Sequence, residues 1–248
     1  MRLTGKTAIV TGGASGFGAG IVRRFMQEGC RVMIADINID GAEQMAQEMG
    51  DHALAQRVDV GDGASVRQMV RAAADAWGHV DIMVNNAGVT HMPAPLQDVS
   101  EDDFDRVYRV NMKSVYYTSR EVVPLMQARK SGTILNVAST AGVSPRPRLN
   151  WYNASKGWLI TATRTMAIEL APDKIRVNAL NPVAGETPLL ASFMGEDTPE
   201  MRQKFLSTIP LGRFSQPEDM GNAALFLCSD EASMITGVAM EVDGGRCI

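Results

Sequence analysis

Short, continuously apolar runs recur along the chain at 7–12, 31–36, 52–60, 80–86, 132–139, 175–180 and 237–245. No other feature restricts the possible folds as strongly. A run that does not alternate polar and apolar residues belongs to a strand covered on both faces, as in a parallel sheet. Between the runs, stretches such as 16–29, 63–78 and 101–128 carry apolar residues at helical spacing. Strand and helix alternate over the whole length, which predicts an α/β fold with a doubly wound sheet of about seven parallel strands flanked by helices. No linker, low-complexity tract or internal repeat interrupts the pattern, so residues 1–248 are expected to form one domain. The longest departure is 188–215, helical in flavour with Pro and Gly punctuation. Its place between the last two strands suits a lid over a substrate.

The first apolar run leads directly into "TGGASGFGAG" at 11–20. Gly12, Gly16 and Gly18 therefore lie where a strand turns into a helix. Bare backbone there lets a diphosphate approach the free N–H groups and the positive end of the helix dipole. A glycine-rich turn alone is also compatible with a purely structural role. Asp36 adds an independent signal, because it closes the second run 18 residues after Gly18. That is close to the spacing at which a carboxylate grips the adenosine ribose in a Rossmann-type fold.

The composition argues against several other classes. A net charge of −4, from 24 basic and 28 acidic residues, leaves no basic footprint for nucleic acid. No apolar run is long enough to span a bilayer, and the first residues lack a signal-peptide apolar core. Cys30, Cys228 and Cys247 are odd in number and far apart, which points to a reducing, cytoplasmic setting without disulfides. His52 and His79 have no metal-ligand spacing, and no metal is expected. The 16 methionines are scattered and read as core filler.

Taken together, the motifs resemble those of the short-chain dehydrogenase/reductase family over essentially the whole chain. "TGGASGFG" (11–18) has the family's T-G-x-x-x-G-x-G spacing, and "NNAG" (85–88) and "VDGG" (242–245) match two further family segments. The resemblance implies a cofactor site made of Gly12, Ser15, Gly16, Phe17, Gly18, Asp36, Ile37, Asp59, Val60, Asn86, Ala87, Gly88, Pro182 and Thr187, with Tyr152 and Lys156 shared with the catalytic centre. Asp59 and Val60 would contact the adenine ring. In "PVAGET" (182–187) Val183 stands where the family has glycine, while Thr187 remains placed for the nicotinamide carboxamide.

The family's catalytic tetrad corresponds to Asn111, Ser139, Tyr152 and Lys156, with "YNASK" at 152–156. A Tyr at its ordinary pKa of about 10 is a poor base at neutral pH. Lys156 lies one helical turn beyond Tyr152, and its ammonium, with the positive nicotinamide nearby, is expected to favour the phenolate. The resemblance further implies that Lys156 bonds the nicotinamide ribose, that Ser139 holds the substrate oxygen, and that Asn111 anchors a water relaying the proton. The expected cofactor is NAD(H). Asp36 would repel the 2′-phosphate of NADP, and the neighbouring Ser15 and Ile37 are neutral.

The expected reaction is interconversion of a secondary alcohol, such as a polyol, sugar or hydroxy acid, with its ketone. A 3-oxoacyl-[acyl-carrier-protein] reductase and a non-catalytic NAD(H)-sensing protein stand as alternatives. Arg146, Arg148 and Asn150 precede Tyr152, His91 follows "NNAG", and Glu186 adjoins Thr187. Each is read either as a substrate contact or as an ordinary loop residue, and as contacts they would suit a small polar or anionic substrate. Leu189, Leu190, Phe193 and Met194 are expected to roof the site. The partner is a small molecule, with no nucleic acid and no membrane, and the family implies a homotetramer.

Overall fold

The apolar runs form seven strands: β1 (Thr7–Thr11), β2 (Arg31–Asp36), β3 (Ala53–Arg57), β4 (Ile82–Asn85), β5 (Gly132–Val137), β6 (Ile175–Pro182) and β7 (Ala239–Val242). A computed structural model describes all 248 residues. The strands make one sheet in the order β3-β2-β1-β4-β5-β6-β7, and every pairing is parallel. From β1 the chain builds outward to β3, then returns to add β4 on the other side. That reversal opens a crevice at the carboxyl ends of β1 and β4, where ligands of such sheets bind.

The α-helices are α1 (Gly16–Gln27), α2 (Ile39–Met49), α3 (Gly63–Trp77), α4 (Glu101–Tyr108), α5 (Ser114–Arg129), α6 (Asn150–Leu170), α7 (Leu190–Met194), α8 (Pro199–Leu206) and α9 (Pro217–Cys228). Adjacent strand residues supply opposite faces of the sheet. Ala8 and Val10 pack in one cluster with residues of α1 and α9, while Ile9 packs in another with α3, α5 and α6. β1 and β4 are buried along their whole lengths, whereas the edge strands β3 and β7 are partly exposed. No helix is long and apolar enough to cross a membrane.

Several elements end earlier than their apolar runs. β4 stops at Asn85 because Asn86 turns to bond the end of β1, its Nδ2 donating to the carbonyls of Thr11 at 2.8 Å and Gly12 at 3.0 Å. β7 stops at Val242, and Gly244 and Gly245 turn away with φ of 63° and 88°. The stretch 101–128, read as one helix, is divided by a π-helical turn at Arg109–Lys113. Its start follows the capping rule: Ser100 Oγ accepts from the Asp103 N–H at 3.2 Å, and Glu101, Asp102 and Asp103 face the positive end of the dipole.

Asp81, just before β4, ties the base of the sheet. It is almost fully buried, and its carboxylate accepts from the Thr7 N–H at 2.9 Å and from Arg129 Nη1 at 2.9 Å. Burial acts to raise its pKa, but the Thr7 and Arg129 hydrogen bonds and the charges of His79 and Arg129 outweigh it, and the net shift is downward. The stabilisation from this carboxylate is present above the ordinary Asp pKa and is lost as pH falls through the depressed folded value. Asp81→Asn is expected to cost about 2 kcal/mol in urea unfolding at neutral pH, by loss of charge-assisted bonds. The difference from wild type should shrink in acid, and a constant difference would mean that the carboxylate charge is not the cause.

Candidate active site

A cleft of about 450 Å3 runs along the carboxyl ends of the strands. One end is bounded by Gly12, Ser15, Asp36 and Ile37 at the ends of β1 and β2, and by Asp59 and Val60 just after β3. Ser15 caps α1 through its extended backbone, with its hydroxyl left unused by the helix. The first turn of α1 holds no acidic residue, so the positive helix end faces the cleft without a counter-charge. Gly16 has φ of 52°, a conformation that disfavours side chains, and a Cβ there would lie 3.2 Å from Thr187. Gly18 does not line the cleft. It is bare for another reason: a Cβ at that position would stand 2.0 Å from the Gly12 carbonyl oxygen.

The Asp36 carboxylate is held by two backbone donors, Ala14 N at 3.0 Å and Asn38 N at 3.0 Å, one on each oxygen. Each oxygen keeps a lone pair for a further donor. Thr11 Oγ1 accepts from the N–H groups of Asn86 and Ala87 at 3.0 and 3.1 Å, so the "NNAG" segment is fastened to the glycine-rich turn.

At the centre of the cleft stand Ser139, Tyr152 and Lys156. Ser139 follows β5 and caps a short 3-10 turn, accepting from Ala141 N at 3.0 Å. Tyr152 and Lys156 share one face of α6, with the ammonium 5.8 Å from the phenol ring centroid. Lys156 Nζ donates to the Val137 carbonyl at 2.9 Å, which spends one of its three N–H groups. Burial lowers Lys156 to about 8. Burial also pushes Tyr152 up to about 12, with the Ser139 hydroxyl pulling the other way. The expected lowering of Tyr152 joins Lys156 with the positive nicotinamide, whereas among the protein's own groups burial pushes the phenol the other way. Loss of water around the phenol is the larger influence, and it favours the protonated form.

Asn111 sits in the π-helical turn and is buried. Its Oδ1 accepts from Val89 N at 2.9 Å, and its Nδ2 donates to Val89 O at 2.9 Å and Ser155 Oγ at 3.0 Å. Both amide hydrogens are spent, so only an oxygen lone pair remains to hold a water. A Cβ on Gly88 would lie 3.4 Å from Lys156 Nζ and 3.6 Å from Asn111 Oδ1. These three residues thus meet around one point of the chain.

The remaining residues singled out from the sequence divide. Arg146 lines the cleft, its guanidinium 4.2 Å over the Phe205 ring and its Nη2 donating to Thr208 Oγ1 at 3.3 Å. Arg148 does not line it. The chain takes a left-handed turn there, φ 70°, and the side chain reaches the Pro93 carbonyl at 3.4 Å instead. His91 is 1% exposed and also off the cleft, its Nδ1 against the Met92 carbonyl at 2.8 Å. Asn150 is exposed at the start of α6, and Glu186 pairs with Arg202 at 2.9 Å.

The expected roof also divides. Leu189 and Phe193 line the cleft, with the Phe193 ring edge-on to Tyr152 at 5.0 Å. Leu190 and Met194 point into a small core with Val183, Ile209 and Phe214. Val183 does not have a positive φ, so glycine is not required there, and its side chain supports that core. Sequence reasoning missed Phe205, Ser144 and Arg246. Phe205 and Ser144 line the cleft, and Arg246 Nη1 donates to Ser144 Oγ at 3.3 Å. No spacing in the sequence links these residues to the motifs.

Known proteins resemble the chain over nearly its whole length. The profile of the family described as "Enoyl-(Acyl carrier protein) reductase" matches residues 12–246. The chain is 51% identical over 252 residues to 4-formylbenzenesulfonate dehydrogenase TsaC1/TsaC2 of Comamonas testosteroni, covering 100% of both chains. It is 40% identical over 254 residues to the 3-oxoacyl-[acyl-carrier-protein] reductase FabG of Thermotoga maritima, again covering 100% of both. Among solved structures, 3-ketoacyl-(acyl-carrier-protein) reductase from Brucella melitensis complexed with NADH superposes with a TM-score of 0.95. That protein is 50% identical, and the match covers 99% of this chain and 100% of that one.

Proposed function

The chain belongs to the short-chain dehydrogenase/reductase family, and from that premise we propose that it interconverts an alcohol and its carbonyl compound with NAD(H), Tyr152 serving as the acid and base. The observation that carries this reading is the shared wall of the cleft, where Ser139, Tyr152 and Lys156 line the space beside the glycine-rich turn. The turn fits a dinucleotide: the unneutralised N-terminus of α1 suits a diphosphate, and the free lone pairs of Asp36 suit the adenosine ribose hydroxyls. NAD(H), when bound, supplies or accepts the hydride.

The protein's own groups manage the proton. Ser139 holds the substrate oxygen by a hydrogen bond. Tyr152, kept protonated by burial, gives its proton to a carbonyl oxygen during reduction and takes one back during oxidation. Lys156 steadies the phenolate when it forms, and Asn111 fixes the Val89 backbone at the cleft edge. The apolar side chains of Leu189 and Phe193 keep water from the reacting centre. On this reading residues 188–215 work as a substrate loop within a single domain. Secondary alcohols are the expected substrates. The formyl compound in the name of the 51% identical relative adds aromatic aldehydes, with their benzylic alcohols, to the panel to be tested.

A second reading, reduction of an acyl-thioester ketone, is favoured by the names of the Thermotoga and Brucella relatives. Turnover of acetoacetyl thioesters exceeding that of every simple alcohol or ketone would establish it over the first. A cytoplasmic homotetramer is the expected form. The three cysteines are free, and Phe104, Tyr108, Tyr116, Trp158 and Ile168 expose apolar surface on α4, α5 and α6 that association would cover. Sedimentation measures this directly.

Cofactor choice provides a quantitative test. Asp36 and the neutral Ser15 and Ile37 offer a 2′-phosphate repulsion and no compensating cation. Catalytic efficiency with NAD is expected to exceed that with NADP at least about tenfold, or ~1.4 kcal/mol. Steady-state rates with each cofactor decide the point, and equal efficiencies would remove the role given to Asp36.

A further inference from the structure

Two guanidinium groups from opposite ends of the catalytic half of the chain converge beside the cleft, and neither has a carboxylate partner. Arg146 precedes α6, and Arg246 lies two residues from the last position of the sequence. Arg146 touches only neutral groups, the Phe205 ring face and the Thr208 hydroxyl. Arg246 donates to the Ser144 hydroxyl, and its Nε is buried with no hydrogen-bond partner. Several carboxylates of the surrounding segments are engaged elsewhere. Asp243 accepts from the N–H groups of Gly245 and Cys247, Glu186 and Asp197 pair with Arg202, and Asp219 pairs with Arg213.

Two like charges drawn partly out of water beside each other are costly unless an anion joins them. Burial and the nearby Arg246 charge both lower the pKa of Arg146, as expected for a cation lacking its counter-charge. We propose that Arg146 and Arg246 form a subsite for an anionic group, a sulfonate or carboxylate, carried on the apolar body of the alcohol substrate. Planar guanidinium forks suit the several oxygens of such a group. Phe193 beside Tyr152 and Phe205 beside Arg146 line the cleft and offer apolar ring faces to an aromatic substrate. The substrate class narrows to an aromatic alcohol with its anionic group remote from the carbinol. This inference rests on the dehydrogenase reading of the same cleft.

The test uses the full-length protein with two measurements. The first compares kcat/KM for 4-(hydroxymethyl)benzenesulfonate and for benzyl alcohol with NAD. The second titrates benzenesulfonate into protein saturated with NADH and follows the heat of binding. Wild type is expected to favour the sulfonate at least about tenfold. Arg246→Gln should erase most of that preference and weaken benzenesulfonate binding by a similar factor, while Arg246→Lys, which keeps the charge, should restore much of both. Arg146→Gln carries the same expectation if Arg246→Gln does not fold. An equal effect of the arginine variants on both alcohols, with benzenesulfonate binding unmoved, would overturn the subsite and leave the dehydrogenase reading standing. Arginine-dependent binding of benzenesulfonate by a protein that oxidises no alcohol would do the reverse. Absence of both binding and turnover would overturn both.

Discussion

Tyr152→Phe is expected to lower kcat by about 10²–10⁴, the range for losing a positioned acid or base, while NADH binding stays near wild type. The substitution removes only the hydroxyl. The ring keeps its edge contact with Phe193 at 5.0 Å and its place beside Lys156, so the cleft keeps its shape. Lys156→Ala, in contrast, should impair both turnover and NADH binding, because the proposed role of the ammonium is shared between tyrosine and ribose. NADH fluorescence titration separates the two effects from the steady-state rate. The pH profile supplies a second readout. With Tyr152 pushed up to about 12 by burial, alcohol oxidation should climb as the solution becomes alkaline, and carbonyl reduction should not. A Phe variant retaining more than about a tenth of the wild-type rate would place the proton transfer elsewhere.

Gly18→Ala is expected to destabilise the protein by about 3 kcal/mol or more, at the upper end of the usual cost of overpacking, and to abolish NADH binding. The added Cβ would lie 2.0 Å from the Gly12 carbonyl oxygen and 2.6 Å from Asn86 Nδ2. Neither neighbour can retreat cheaply. Gly12 belongs to the turn leaving β1, and Asn86 Nδ2 is the donor that joins β4 to that turn. Relief of the clash must move α1 away from the sheet, which displaces the helix end proposed to hold the diphosphate. Urea unfolding and NADH titration measure the two effects separately. A stable variant with normal NADH binding would show that the turn adjusts, and the close approach would lose its functional meaning. Gly16→Ala makes a useful contrast, because its strain arises from φ of 52° and a 3.2 Å contact with Thr187, not from a backbone clash.

The site was unequally legible in the sequence. Ser139, Tyr152 and Lys156 line one cleft with Gly12, Asp36 and Thr187, as the motif spacing predicts. Tyr152 and Lys156 are one helical turn apart, so their common face follows from local geometry alone. His91 and Arg148 also lie near motifs, yet both stand off the cleft. A loop residue's direction depends on single backbone angles, and the left-handed turn at Arg148 sends its side chain to Pro93. Val183 stands where the family has glycine. It is accommodated because that position needs no positive φ and the side chain has a small core to enter.

The sequence by itself determined the seven-stranded parallel sheet, the position of the glycine-rich turn and the catalytic candidates. Each of these is set over a few neighbouring residues, by apolar runs too uniform for a one-sided strand or by side chains one helical turn apart. Only the tertiary structure decided the direction of the Tyr152 pKa, because desolvation depends on everything packed around the phenol and not on Lys156 alone. It also decided which half of the expected roof faces the cleft, and it brought Arg246 to Ser144 across 102 residues of chain. Contacts between such distant segments follow from how the helices pack on the sheet, and no local pattern of residues encodes them.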